Sequence, residues 1–280
     1  MEMVVWTANY LGEKGFNNPR LNAELLLAGS LGLKRLDLYL QFDRPLRAEE
    51  LAEFKARLLR RAKHEPLQYI EGTAAFRELV LAVDRRVLIP RPETEVLVQE
   101  VLDWAAAHGA RSALDVGTGS GAIALSLATE GAFERVVAVD LSPEALEVAR
   151  ANGEKAAPAM PVDFRLGSLY DAVGGERFGV IASNPPYVGT EERPSLDAEV
   201  REWEPGTALF AGQGGLDVIR PLVERAPLHL EPGGLLAMEI GAAQADAVCE
   251  IVRATGAFAE PRVRRDLSGR DRIVLAELAG

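Results

Sequence analysis

A chain of 280 residues is longer than one ordinary domain needs and shorter than three would require, so one main core with a smaller appended domain is expected. Apolar side chains make up 48% of it and charged ones 26%, enough to bury a sizeable core. With 42 acidic against 31 basic residues the net charge is -11, which argues against a general affinity for nucleic-acid phosphates; the lone cysteine excludes an intrachain disulfide and fits a reducing cytosol.

Met1 to Tyr10 has no basic run leading into a long apolar stretch, so no signal peptide is expected. No stretch of ~20 apolar residues is present either, so no membrane span is expected. Residues 1 to about 65 read as helices, with no strand pattern. Leu21, Leu25 and Leu26 recur at helical spacing after an Asn18-Pro19 start. Leu51, Phe54, Leu58 and Leu59 mark a second apolar face, on a helix beginning near Arg47, and Gly29 and Gly32 punctuate between the two. Residues 1–68 are therefore assigned to a small helical domain.

Residues 69–90 read as a linking hairpin. Phe76, Leu79, Leu81 and Val83 are spaced like strand residues, and Val87-Leu88-Ile89 is a short strand-like run. Two prolines stiffen Pro90-Arg91-Pro92-Glu93-Thr94-Glu95. A helix bearing Val96, Leu97, Val101 and Leu102 follows. Residues 91–280 then alternate strand and helix. Strands are expected at Ser112–Val116, Arg135–Asp140, Val162–Leu166, Val180–Ser183 and Gly234–Ile240. Helices are expected at Ala122–Thr129, from Ser142-Pro143 onward, at Leu216–Ala226 and at Ala242–Thr255, where Cys249 fits a buried structural position. Arg262–Arg265 and Arg272–Leu278 can close as a hairpin around Ser268-Gly269. This alternation predicts an α/β fold, a mostly parallel sheet covered by helices on both faces. The three histidines lie far apart without metal-ligand spacing, and no metal site is expected.

The strand Ala113-Leu114-Asp115-Val116 runs into Gly117-Thr118-Gly119-Ser120-Gly121 and then a helix. That arrangement puts backbone N–H groups at the carboxyl edge of a parallel sheet, where ligands bind. Glycines permit close approach and positive φ. The loop alone does not separate a dinucleotide from S-adenosylmethionine. Asp115, just before the glycines, tilts the choice, because it would repel a pyrophosphate but not an ammonium or a sulfonium. Asp140, ending the next strand, is placed to accept ribose hydroxyls in either case.

Ser183-Asn184-Pro185-Pro186-Tyr187 follows another strand, at the same edge. An amide nitrogen is a poor nucleophile, since its lone pair is delocalised into the carbonyl. An enzyme that methylates it must hold the NH2 by its hydrogens. The Asn184 side-chain oxygen can take one and the Pro185 carbonyl the other. Pro185 and Pro186 restrict the backbone that aims that carbonyl, and Tyr187 can lie on the planar group and exclude water.

With these motifs the chain resembles the class I, Rossmann-like methyltransferases. Glu65-Pro66-Leu67-Gln68-Tyr69-Ile70 with Gly72, Leu88 to Glu95, Glu204-Pro205 through Ala208-Leu209, and Gly214 to Asp217 narrow it. Together they are similar to segments of the peptide chain release factor glutamine methyltransferases, the HemK/PrmC family. The resemblance implies that Gly117 to Gly121 and Asp140 bind S-adenosylmethionine, leaving S-adenosylhomocysteine as product. It also implies that Asn184 to Tyr187 hold a glutamine and that Arg91 to Glu95 line the substrate side. Leu169 stands where relatives often carry an aromatic residue against the adenine, so an apolar contact is expected there. The implied partner is the Gly-Gly-Gln loop of bacterial class I release factors, docked with help from the helical domain, in the cytoplasm, with neither membrane nor direct nucleic-acid binding. Three rivals remain open at this stage. They are a glutamine methyltransferase of a large-subunit ribosomal protein, an adenine DNA methyltransferase, and a non-catalytic binder of an adenosine ligand.

Overall fold

In a computed structural model, which describes residues 1–279, the chain forms two compact units. The first comprises Met1–Gly72 and the returning segment Asp197–Trp203. Its helices are α1 (Glu2–Glu13), α2 (Pro19–Leu31), α3 (Asp37–Leu40), α4 (Ala48–Arg61) and α5 (Leu67–Glu71). Pro19 opens α2, because its missing N–H is one that a first helical turn leaves without a partner anyway. Gly32 ends α2 with φ at 61°, a left-handed conformation that costs glycine little. α4 begins after Arg47, whose backbone N–H donates to Glu50 Oε2 at 2.9 Å. Leu11, Leu26, Leu27, Phe54 and Leu58 form the core of this unit.

Some helical expectations change here. Gly29 punctuates nothing; it lies inside α2, where an added Cβ would fall 2.2 Å from a Glu71 carboxylate oxygen. No turn calls for glycine there; a side chain at this position would displace the Arg57–Glu71 ion pair that lies against it. Leu21 and Leu59 share helical spacing with core residues yet face solvent, and Ala23 and Leu27 complete the buried face of α2 instead. The unit runs to Gly72, four residues past the expected boundary. It takes in Asp197–Trp203 because Arg61 Nη2 meets Glu199 Oε1 at 2.6 Å and Trp203 Nε1 donates to the Lys63 carbonyl at 3.2 Å.

In the second unit β1 (Thr73–Phe76) and β2 (Leu79–Ala82) pair antiparallel. Phe76 and Leu81 turn inward and Val80 outward, as alternation requires. Val87–Ile89 forms no strand. Val87 and Ile89 are buried as loop residues, and Pro90 beside them has no N–H to offer a ladder. Helix α6 (Pro92–His108) follows.

The strands β3 (Ser112–Val116), β4 (Arg135–Asp140), β5 (Asp163–Leu166), β6 (Phe178–Ser183), β7 (Leu230–Glu239), β8 (Arg262–Arg265) and β9 (Asp271–Glu277) form one sheet. Their order is β5-β4-β3-β6-β7-β9-β8. The first five are parallel; β9 runs antiparallel to both β7 and β8. The connecting helices include α7 (Ala122–Glu130), α8 (Pro143–Ala156), α9 (Ile219–His229) and α10 (Ala245–Ala254). Side-chain alternation splits the strands between two cores. Ala113, Ala138, Ala182 and Ala237 face α6 and α7, whereas Leu114, Val137, Ile181 and Leu236 face α9 and α10. Cys249 is buried on α10 in the second of these cores. No helix among the described residues is long and apolar enough to cross a membrane.

The α/β fold is as expected, with shifts at some ends. Helix α9 starts at Ile219 rather than Leu216, because Gly214 and Gly215 hold positive φ just before it. The chain winds from β3 outward to β5, then returns to build β6 and β7 on the other side of β3. Such a reversal opens a crevice at the carboxyl ends of the two middle strands.

Candidate active site

Val116 and Ser183 are the last paired residues of the neighbouring parallel strands β3 and β6. Ser183 Oγ donates to the Val116 carbonyl at 2.7 Å. Adjacent strands lie about 4.8 Å apart. Gly117 and Asn184 therefore leave the sheet side by side, and the two motifs share one edge.

The glycine loop is tied down by backbone bonds. Gly117 and Thr118 both donate to the Val139 carbonyl, at 2.8 and 3.0 Å, and Gly119 N–H donates to Asp140 Oδ2 at 2.7 Å. Asp140 Oδ1 accepts from Ser142 N–H at 2.9 Å. Burial pushes the Asp140 carboxyl above its usual range, against these backbone donors. Gly117 and Gly119 have φ of 76° and 55°, and a Cβ on either would meet nothing within 4 Å. Backbone conformation and open space above the loop, not packing against the protein, call for glycine at these two positions. Gly121 differs, since its Cβ would press on Leu125 at 3.0 Å. The Ser120 carbonyl accepts from Asn152 Nδ2 at 2.9 Å.

Asp115 lies wholly buried beneath the loop. Its Oδ2 accepts from Thr118 Oγ1 at 2.6 Å and from Ala124 N–H at 3.1 Å. Its Oδ1 has no hydrogen-bond partner among the described residues. Desolvation pushes this carboxyl up to about 7. An orphaned buried carboxylate oxygen below an open glycine cradle fits a ligand with an ammonium or sulfonium better than a pyrophosphate.

Beyond β6, Pro185 is buried and Asn184, Pro186 and Tyr187 are half-buried. Asn184 Nδ2 donates to Thr94 Oγ1 at 3.0 Å. Thr94 Oγ1 donates in turn to Glu239 Oε2 at 2.6 Å, and Tyr187 Oη donates to Glu239 Oε1 at 3.1 Å. Burial, and next the Glu239 charge, push the Tyr187 phenol well above its ordinary value, so it stays protonated and donates. Burial also raises Glu239, opposed by the bonds from Thr94 and Tyr187 and by the Arg272 charge.

Other expected residues sit in differing surroundings. Arg91 Nη2 pairs with the buried Glu204 Oε1 at 2.6 Å, and Glu93, half-buried beside it in sequence, adds negative charge near Glu239. Leu169 lies three residues beyond β5, half-buried, with φ at 51°. Gly167, between them, donates to the Asp140 carbonyl at 3.0 Å. Sequence reasoning missed Glu239, Asn152 and the part played by Thr94. Signals existed for two. Glu239 is the one acid in the apolar run Leu235–Ile240, at a strand's carboxyl end. Asn152 falls at helical spacing from the buried Ala145, Val148 and Ala149.

A glycine loop and an Asn-Pro-Pro-Tyr turn side by side at the switch point of this sheet define a class I methyltransferase that uses S-adenosylmethionine. Its fold is similar to that of a methyltransferase from Pyrococcus furiosus, with a TM-score of 0.54 at 21% identity, covering 81% of this chain and 98% of that one. Residues 2–72 match the family model of the PrmC N-terminal domain, and residues 92–199 that of the methyltransferase small domain. The release factor glutamine methyltransferase of Geobacter sulfurreducens is 46% identical over 96% of this chain and 93% of its own; that of Koribacter versatilis is 44% identical over 92% and 91%. The chain belongs to the release factor glutamine methyltransferase family.

Proposed function

We propose that the chain transfers a methyl group from S-adenosylmethionine to the side-chain amide nitrogen of the glutamine in the Gly-Gly-Gln motif of class I peptide chain release factors. The observation that carries this reading is the Val116–Ser183 pair, which sets the glycine loop beside Asn184. In this reading Gly117 to Gly121 and Asp140 cradle the nucleoside end, with Asp115 Oδ1 facing a cationic group and Leu169 against the adenine. When bound, S-adenosylmethionine supplies an electrophilic methyl on a sulfonium.

Asn184, with Nδ2 committed to Thr94, turns Oδ1 toward one N–H of the glutamine amide. The Pro185 carbonyl takes the second. Held by both hydrogens, the nitrogen presents its lone pair across the gap between the two strand ends. Tyr187 covers the planar amide and keeps water out. No strong base is required, because the nitrogen becomes acidic once a fourth bond forms and releases one of its protons to solvent as the N-methylated glutamine leaves the site. Positioning then carries most of the rate, a contribution that reaches about 7–11 kcal/mol in well-oriented systems.

The helical unit is the candidate docking element, with Trp6, Leu36, Leu40 and Phe42 exposed on it. Arg91 and Glu93 remain candidates to border the substrate. The names of the full-length relatives favour release factor over a ribosomal protein, and a net charge of -11 disfavours DNA. Translation termination places the reaction in the cytoplasm. Incubation with S-adenosylmethionine and release factor, ribosomal proteins or DNA, followed by mapping of methyl groups by mass spectrometry, tests the assignment. A methyl on the Gly-Gly-Gln glutamine is expected; a methyl only on ribosomal protein or adenine would overturn it.

A further inference from the structure

Asn184 can hold a substrate amide only if its own amide is the right way round. An inverted side chain would aim two N–H groups at the glutamine NH2, donor against donor. Nothing in Asn184 itself sets that choice, since oxygen and NH2 are nearly the same size. The choice is made by the groups behind it.

Glu239 ends β7, and its neighbour Met238 pairs with Ser183, so Glu239 stands level with Asn184 on the next strand. Thr94 comes from the first turn of α6. Both Glu239 oxygens are occupied by hydroxyl donors, Thr94 on Oε2 and Tyr187 on Oε1, so toward these partners the carboxylate acts as acceptor alone. Thr94 has one hydroxyl hydrogen, and it goes to Glu239 Oε2 at 2.6 Å. Toward Asn184, Thr94 is therefore left with lone pairs alone. It accepts from Nδ2 at 3.0 Å, and Oδ1 is turned to the other side. The second oxygen of the same carboxylate accepts from Tyr187 at 3.1 Å. One buried anion thus sets both the amide that would grip the glutamine and the ring that would cover it.

We infer that Thr94 and Glu239 are positioning residues: the acceptor-only Glu239 carboxylate polarises the Thr94 hydroxyl, which locks Asn184 with its oxygen toward the substrate amide. This rests on the proposed role of Asn184. Neither residue need touch the substrate.

The test compares Thr94→Val, which keeps the shape and removes the hydroxyl, with Thr94→Ser, which restores it, and with Glu239→Gln, which can donate as well as accept. Turnover of release factor, KM for the factor, cofactor affinity by calorimetry and melting temperature are measured for each. For Thr94→Val, kcat is expected to fall roughly 10- to 100-fold, the scale of a misplaced reacting group, with KM and cofactor affinity within about threefold of the unsubstituted chain. Thr94→Ser is expected to recover most of kcat, whereas Glu239→Gln loses it. The inference is overturned if Thr94→Val turns over like the unsubstituted chain, if Thr94→Ser is as impaired as Thr94→Val, or if cofactor affinity falls as far as kcat. Should Thr94→Val not fold, a Glu239→Gln chain that folds and keeps full kcat overturns it, and one that folds and loses kcat alone supports it. The unsubstituted chain separates the two ideas. No methyl on glutamine defeats the functional reading, while methylation that survives Thr94→Val defeats only the relay.

Discussion

Ser183 hands its hydroxyl hydrogen to the Val116 carbonyl at 2.7 Å, and through that bond the last residues of two strands 67 positions apart in sequence are tied together. Both residues are buried. A buried hydrogen bond contributes about 1 kcal/mol net, and leaving a partner unsatisfied costs about 1–3 kcal/mol. Ser183→Ala is expected to lower unfolding stability within that range, read by urea denaturation, and to lower kcat further, because the spacing of the two motifs depends on this pair. Unchanged stability and kcat would remove the bond from the account.

Asp115 gives the fold a pH dependence. Its folded value, about 7, lies above its ordinary 3.8, since burial opposes the charge. Between about pH 4 and 7 the folded chain keeps a proton that the unfolded chain has lost. Stability contributed by this group is thus full below pH 4 and falls as pH rises to 7, by an amount on the order of 4 kcal/mol. Urea denaturation of the cofactor-free protein at pH 5 and pH 8 measures the part of the loss above pH 5, about 3 kcal/mol. Asp115→Asn should flatten the difference. An equally steep pH dependence in that variant would clear Asp115 as its source.

Asp140 serves the loop before it serves any ligand, accepting Gly119 and Ser142 amides with its two oxygens. With the proposed ribose contacts added, Asp140→Ala is expected to weaken cofactor binding roughly 10- to 100-fold, the equivalent of one or two charge-assisted hydrogen bonds. Calorimetry with S-adenosylhomocysteine reads this directly; unchanged affinity would count against both the ribose contact and the loop anchor.

Asn152 clamps β2 to the glycine loop. Its Oδ1 accepts from Ala82 N–H at 2.6 Å, and Nδ2 donates to the Ala82 and Ser120 carbonyls at 3.0 and 2.9 Å. Asn152→Ala strands one buried backbone group, the Ser120 carbonyl, and two part-buried ones on Ala82, so a stability loss of about 1–3 kcal/mol is expected. Hydrogen exchange should rise at Ala82, whose amide loses its acceptor. An Ala82 amide as protected as before would mean that the clamp holds nothing.

Strands β3 and β4 were legible to the residue because glycine, acid or turn residues bound short buried runs. The two motifs were legible because their chemistry is local. Thr94 and Glu239 were not read as a pair, since the 145 positions between them vanish only when α6 packs over β7. Val87–Ile89 carries the β-branched signature of a strand, yet the same composition serves a buried loop beside Pro90. Leu21 and Leu59 show that helical spacing identifies a stripe without saying which edge of it solvent reaches.

The most direct test is a crystal structure of the chain with S-adenosylhomocysteine and a peptide containing Gly-Gly-Gln. The expected result is the glutamine nitrogen within hydrogen-bond reach of Asn184 Oδ1 and the Pro185 carbonyl, facing the sulfur in the glycine cradle. A glutamine seated elsewhere, or gripped with Asn184 Nδ2 toward it, would contradict the account.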